Sequence, residues 1–461
     1  MLTPPRSTRL TTVAIIPLLL VIPFLVSGPC SGTSRDNVAE AMDRFVSSRD
    51  FTGVVLVARQ GHVIFEKAYG MANREHDVPN KLDSKFRIGS MTKQFTAMAI
   101  MILAERGKLR LSDPLCKYIE NCPRAWASIT VRHLLNHTSG IPAFTDFSDN
   151  EQYDPLPMTP LQTIARFRDK PLEFVPGERF SYDDSGYLLL GYIIERASGE
   201  RYEDFLRKNI YEPLGMLDSG YDHPWIILKN RASGYARVNG ELQNAKLIEM
   251  DTPFGGGSMY STVGDLLRWD QALYTDKLVS QKSLEQMFTP FTGPYPVVRV
   301  WEQGLYSRHR YGYGWFITNW FGRDLVWHGG VINGFCSAIL RYPEDRTLVI
   351  VLENMEPEGE SDIDLKMEPM TVANGLSVIA FGLPPHSTPV SEKTSGGVRR
   401  EVQRLSLVLW PGVIIRSVPT SSVMTRTTEP ARCRSLCVGG SGYRRTTSAA
   451  LPRYLPIWDD R

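Results

Sequence analysis

The chain has 461 residues, enough for one large domain or two ordinary ones. With 42% hydrophobic and 22% charged residues it has the make-up of a soluble globular protein. A formal net charge of +2 leaves no basic excess that would call for a nucleic-acid partner.

The amino terminus has the pattern of an export signal, residues 1–32. Arg6 and Arg9 give a positive start, Val13 to Val26 is an uncharged apolar run, and the small residues Ser27, Gly28, Ser31 and Gly32 follow. The run is shorter than the ~20 residues that cross a bilayer, which favours a secretory signal over a membrane span. The localisation implied is exported, periplasmic or secreted. Membrane contact follows only if this segment stays uncleaved or if Cys30, where a bacterial lipoprotein is acylated, carries a lipid.

Next, Asp36 to Ser48 reads as a helix, with Val38, Met42 and Phe45 at helical spacing. Strands over 54–58 and 63–65 flank a hairpin turn at Arg59-Gln60-Gly61-His62. Ser90 opens a further helix through Lys93, Phe95, Met98 and Leu103, which Gly107 stops. Cys116 and Cys122 bracket a short stretch and read either as a disulfide or as two free thiols. Helical patterns follow at 131–137, 161–167, 187–197, 202–208 and 263–273, the last with Thr262 as its cap. Strands return at 314–318, 325–328, 336–342 and 348–352, with Cys336 as buried packing and Pro343-Glu344-Asp345 as a turn. A last helix covers Met370 to Ala380. This order implies an α/β part built from both chain ends, 33–90 and 310–384, with a helical part, 91–309, inserted between them. From Pro385 onward the chain carries eleven Arg, one Lys and five acids, and reads as a poorly structured basic extension, 385–461.

A serine hydroxyl is a weak nucleophile at neutral pH and needs a base within reach and donors for the oxyanion. Ser90 and Lys93 lie three residues apart at a helix start and share one face. The helix terminus adds free N–H groups and partial positive charge. A lone Ser-x-x-Lys is weak, but the segment Phe86-Arg87-Ile88-Gly89-Ser90-Met91-Thr92-Lys93-Gln94-Phe95 resembles the nucleophile segment of the penicillin-recognising serine hydrolases. That family includes class C β-lactamases, D-alanyl-D-alanine carboxypeptidases, family VIII carboxylesterases and D-aminopeptidases. Further segments resemble it in order: His133-Leu134-Leu135-Asn136-His137-Thr138-Ser139-Gly140-Ile141-Pro142, then Pro176 to Tyr182, Gly186 to Gly191, Gly256 to Thr262, and His328-Gly329-Gly330.

The resemblance, over roughly residues 36 to 384, implies a β-lactamase/transpeptidase-like α/β fold: an antiparallel sheet flanked by helices, with an all-helical insertion. It implies an acyl-enzyme on Ser90, no metal and no cofactor. Tyr182 stands as the catalytic tyrosine; Lys93 beside it would lower its pKa from the usual value near 10 and let the phenolate take the serine proton. His328-Gly329-Gly330 stands where relatives carry Lys-Thr-Gly, and the Val331 N–H pairs with that of Ser90 as the oxyanion hole. A histidine there can carry a proton near pH 7.

Two departures narrow the function. The family's Tyr-x-Asn is Tyr182-Asp183-Asp184 here, and an ionised Asp184 keeps Lys93 charged, repels an anionic substrate group and attracts a cationic one. His328 replaces the lysine that binds a substrate carboxylate. Both fit an esterase or a D-amino-acid amidase or peptidase, acting on a small-molecule or peptide substrate, better than a β-lactamase or cell-wall carboxypeptidase. A catalytically silent binding protein of the same fold is the alternative from another class. Gly89-Ser90-Met91 is not a Gly-x-Ser-x-Gly elbow, so an α/β-hydrolase fold is not supported. His133 and His137 are four apart, but Leu135 and Asn136 break a His-Glu-x-x-His zinc pattern, and both read as structural.

Overall fold

Strands that are apolar at every position must be covered on both faces, and this principle organises the molecule. The structure, a computed structural model, describes residues 35–291, 298–302, 305–320, 322–356 and 368–383. The export segment with Cys30 and the extension 385–461 lie outside the described residues. An eight-stranded antiparallel sheet contains β1 (Gly53–Arg59), β2 (His62–Tyr69), β3 (Val298–Glu302), β4 (Leu305–Tyr311), β5 (Phe316–Trp320), β6 (Arg323–Ile332), β7 (Phe335–Tyr342) and β8 (Thr347–Glu353). Their order is β3-β4-β5-β6-β7-β8-β1-β2.

The two-residue period sends alternate side chains to two separate cores. Val55, Val57, Ala338, Leu340, Val349 and Val351 face one side. There they meet Met42 and Val46 of α1 (Arg35–Ser47) and Val372, Ala373 and Leu376 of α5 (Glu368–Ala380). Val54, Leu56, Ile339, Leu348, Ile350 and Leu352 face the other side. That core takes Phe95 and Met98 of α2 (Thr92–Glu105), Leu189 of α3 (Asp184–Ser198) and Leu266 and Trp269 of α4 (Val263–Ala272). β1 and β8 pair as Val55↔Val351. Gln60 and Gly61 both take positive φ, as a tight hairpin between β1 and β2 requires.

The chain ends therefore build the sheet, as the motif order implies. The sheet's far edge is reached earlier than residue 310, because β3 and β4 already belong to it. The inserted part is mostly but not purely helical. Phe86–Arg87, Met259–Ser261 and Gly220–Tyr221 form a small antiparallel sheet, and Tyr235–Val238 pairs with Glu241–Asn244 and with Met355–Glu356. These pieces are two to four residues long, too short for a two-residue period to show. A disulfide joins Cys116 to Cys122, and Cys336 is a buried free thiol. Thr262 caps α4 by accepting the Asp265 N–H.

Candidate active site

Ser90 lies in a single 3-10 turn, Gly89–Met91, just before α2, rather than in the α-helix itself. Gly89 is the reason, with a φ of +49 that a residue with a side chain rarely adopts. The turn is pinned on both sides. Phe86 and Arg87 pair with Ser261 and Tyr260, and the Ile88 N–H donates to the Met259 carbonyl. Across the turn, the Ser337 hydroxyl of β7 donates to the Ile88 carbonyl at 2.9 Å. β6 approaches so closely that a Cβ on Gly330 would sit 2.0 Å from the Ile88 oxygen, and one on Gly89 2.9 Å from the Val331 nitrogen. The glycines around Ser90 thus allow two backbone segments to touch, bringing Val331 beside the turn.

Lys93, in the first turn of α2, is fully buried and uses all three of its donors. Its Nζ donates to Ser90 Oγ at 3.0 Å, to Asp184 Oδ1 at 2.5 Å and to the Gly256 carbonyl at 3.0 Å. Asp184 opens α3 and remains a quarter exposed. Its other oxygen accepts the Thr145 hydroxyl at 3.3 Å. Gly256 leaves room for this pair, since a Cβ there would lie a tight 3.2 Å from Asp184 Oδ1. Burial works against the Lys93 charge, but the Asp184 carboxylate and then Tyr182 outweigh it and hold the ammonium above the usual lysine range.

The Tyr182 hydroxyl is buried against Lys93 and Ser90 without closing a hydrogen bond of good geometry. Lys93 Nζ also sits 4.9 Å from the centre of the Tyr182 ring. The expectation of a lowered tyrosine pKa does not hold for this arrangement. Burial pushes the phenol up to about 12; the Lys93 charge pulls against that, and Asp184 adds to the rise. Sequence spacing shows the lysine but not the burial.

His328 is also fully buried. Its Nδ1 donates to the Gly329 carbonyl at 2.6 Å, which leaves Nε2 to accept the Tyr311 hydroxyl at 2.9 Å. Burial, followed by the Lys93 charge, pushes its pKa down to about 3. The ring is neutral at physiological pH, so the proton-carrying role expected of it near pH 7 does not fit. Its hydrogen-bond partner, Tyr311, went unnoticed in the sequence. The run Tyr311-Gly312-Tyr313-Gly314 held a signal, because alternating glycines mark close backbone approach. A Cβ on Gly314 would indeed lie 2.8 Å from the Lys93 carbonyl.

Of the two histidines read as structural, His133 closes a capping box with Thr130. His137 is buried next to Tyr182, their ring centres 4.4 Å apart. Asp183, between Tyr182 and Asp184, caps α3 by accepting the Gly186 N–H, and burial pushes its carboxyl up to about 7. Ser90, Lys93, Tyr182 and Asp184 therefore meet around one ammonium, with His328 beneath and Val331 beside the Ser90 turn.

The Beta-lactamase family matches residues 35–368. The chain belongs to this family of serine hydrolases. Penicillin-binding protein 4* of Bacillus subtilis is 30% identical over 365 residues, 76% of this chain and 77% of that protein. The structure of the octameric penicillin-binding protein homologue from Pyrococcus abyssi is 32% identical, with a TM-score of 0.63, covering 75% of this chain and 78% of the other. D-amino acid amidase from Ochrobactrum anthropi, at 24% identity and a TM-score of 0.62, covers 76% of this chain and 99% of its own and shares the fold. The β-lactamase/transpeptidase fold read from the motifs is thus the fold of the chain. Among the described residues, no helix is long and apolar enough to cross a membrane.

Proposed function

We propose that the family member described here is an exported acyl hydrolase for neutral or cationic esters and amides, D-amino acid derivatives among them, rather than a dedicated β-lactamase. The observation that carries this reading is the saturation of Lys93. Its three donors go to Ser90, Asp184 and Gly256, so it offers none to a substrate carboxylate. The neutral, internally bonded His328 offers no cation either. Asp184, a quarter exposed, adds an anion at the site.

In this reading Ser90 attacks the acyl carbon, and its proton passes to the Lys93–Tyr182 pair. With Lys93 charged and the phenol raised, neither is a free base at rest, so the reactive form is the minor one in which the pair has lost one proton to solvent; that form takes the Ser90 proton as attack proceeds. The Ser90 and Val331 N–H groups receive the oxyanion. The collapsing intermediate expels the alcohol or amine, which takes the proton back from the same pair. Water then repeats the sequence on the acyl-enzyme to release the acid and free Ser90. Penicillin recognition is the second reading, favoured by the names of the relatives.

A panel of p-nitrophenyl esters, D-amino acid p-nitroanilides and a chromogenic cephalosporin separates the two. Faster turnover of esters or anilides supports the proposal, and faster turnover of the cephalosporin overturns it. A fluorophosphonate should label the wild type and not Ser90→Ala; absence of label on both would point to a binding protein.

A further inference from the structure

His137 contacts the Ser181–Asp183 segment at four places. Its carbonyl accepts the Ser181 N–H at 3.0 Å. Its Nδ1 accepts the Asp183 N–H at 3.1 Å and lies 3.3 Å from the Asp183 Oδ2. Its ring lies against the Tyr182 ring, tilted by 35°. The two hydrogen bonds fall on the residues immediately before and after Tyr182. His137 has a φ of +57, a left-handed conformation that histidine and asparagine tolerate better than most residues. With that backbone, its carbonyl and its ring both meet the same short segment.

The surroundings make a histidine an unexpected choice. Phe180, Tyr182, Tyr187 and Tyr311 form an aromatic cage around the ring. Because Nδ1 is an acceptor, Nε2 carries the hydrogen, and it has no partner among the described residues. A buried N–H without a partner lowers stability. A phenylalanine would fill such a cage without that penalty but could not receive the Asp183 N–H. What histidine adds is a ring nitrogen that faces both the N–H and the carboxylate of Asp183, the residue next to Tyr182.

We propose that His137 is the positioning residue for Tyr182, holding the phenol in place over Lys93 and Ser90. The inference rests on the reading of Tyr182 as part of the proton path. His137 touches no substrate in this scheme and acts only through the tyrosine.

The test measures kcat and KM on a p-nitrophenyl ester for His137→Phe, His137→Asn, Tyr182→Phe and the two double variants, with melting curves to confirm folding. His137→Phe keeps a ring and loses the acceptor. It is expected to lower kcat by about 10- to 100-fold, the scale of a small misplacement of a reacting group, with KM moving by less than about twofold. His137→Asn keeps an acceptor and suits the left-handed backbone, so it is expected to recover part of that loss. On the Tyr182→Phe background, either His137 change should cost no more than about a further twofold, because there is no phenol left to place. Loss of kcat undiminished on that background overturns the inference, as does a parallel change in kcat and KM with a lowered melting temperature. If Tyr182→Phe alone leaves kcat unchanged, the reading of Tyr182 fails first and the positioning role falls with it. Should His137→Phe not fold, the Asn variant carries the same cycle with a smaller loss.

Discussion

Asp184→Asn is the most informative single change, because it removes one charge and leaves the shape almost intact. Asn can still accept from Lys93 through its oxygen, and its amide nitrogen can donate to the Thr145 hydroxyl instead, so the site geometry should survive. The loss of an anion in the first turn of α3 costs about 0.3–1 kcal/mol of helix stability. The electrostatic effect is larger. A contacting opposite charge typically shifts a pKa by about 1–3 units. Asp184 touches the ammonium at 2.5 Å but is a quarter exposed, so water screens part of its effect. Without the carboxylate, burial, already the largest single influence on Lys93, is opposed by Tyr182 alone and lowers its pKa. Tyr182 loses an anion that raises it, and it moves down as well.

More of each group is therefore in its unprotonated form near neutral pH. Each unit of pKa lowering gives about tenfold more free amine, worth about 1.4 kcal/mol. Weaker basicity takes back roughly half of this in logarithmic terms. The net expectation is about a 3- to 10-fold rise in kcat/KM for a p-nitrophenyl ester at pH 7, with the acid limb of the pH profile displaced to lower pH. Stopped-flow acylation across pH 5–9 reads both quantities. An unchanged rate with an unmoved limb would refute the charge argument. A fall in rate would show that Asp184 supports acylation rather than damping it.

Two further outcomes follow from the same geometry. His328 is neutral in the folded state with its pKa pushed down to about 3, whereas in the unfolded chain it takes up a proton below about 6.5. Its contribution to stability is fully present above pH ~6.5 and is lost as pH falls toward 3, on the order of 2 kcal/mol by pH 5. Denaturant unfolding at pH 7.5 and pH 5 should therefore show a larger loss for the wild type than for His328→Gln; equal losses would count against the buried neutral ring. Gly330→Ala would place a Cβ 2.0 Å from the Ile88 oxygen, forcing β6 and the Ser90 turn apart. It should destabilise by roughly 1–3 kcal/mol in thermal or urea unfolding and slow fluorophosphonate labelling of Ser90; unimpaired labelling would show that the close approach of β6 does not matter to the serine.

What the sequence shows and what it hides divide along physical lines. β1, β7 and β8 were legible because strands buried on both faces must be apolar almost throughout, as Val54 to Ala58 and Leu348 to Leu352 are. Ser90 and Lys93 were legible because three residues on one helix turn fix their neighbourhood locally. The small sheet that pins the Ser90 turn was not, since Gly220–Tyr221 and Phe86–Arg87 are two residues each and take their partners from far along the chain. Tyr311 was missed for a related reason. Nothing in its spacing links it to His328, and the β4–β6 neighbourhood that does so is a property of the sheet. The lowered Tyr182 pKa and the proton-carrying His328 expected from the motifs do not hold, because both groups are governed by desolvation. A motif names the neighbours of a group but not the water it has lost.

The same desolvation ties the two departures from the family pattern together. Relatives with Lys-Thr-Gly and Tyr-x-Asn place two lysines and a neutral amide around the serine. Here the second lysine is a neutral histidine and the amide is an acid, so the groups around Ser90 carry one cation and one anion. Lys93 is completely buried, and an unpaired ammonium at such a depth would be driven toward its neutral form. Asp184 supplies the countercharge that keeps it ionised. A site built this way is balanced before substrate arrives. A carboxylate entering it meets no free cation and an anion already in place, whereas an uncharged ester disturbs nothing. An ammonium on the acyl group meets the exposed edge of Asp184. The proposed preference for neutral or cationic acyl donors thus rests on how the buried charge is compensated, independently of any one contact with the substrate.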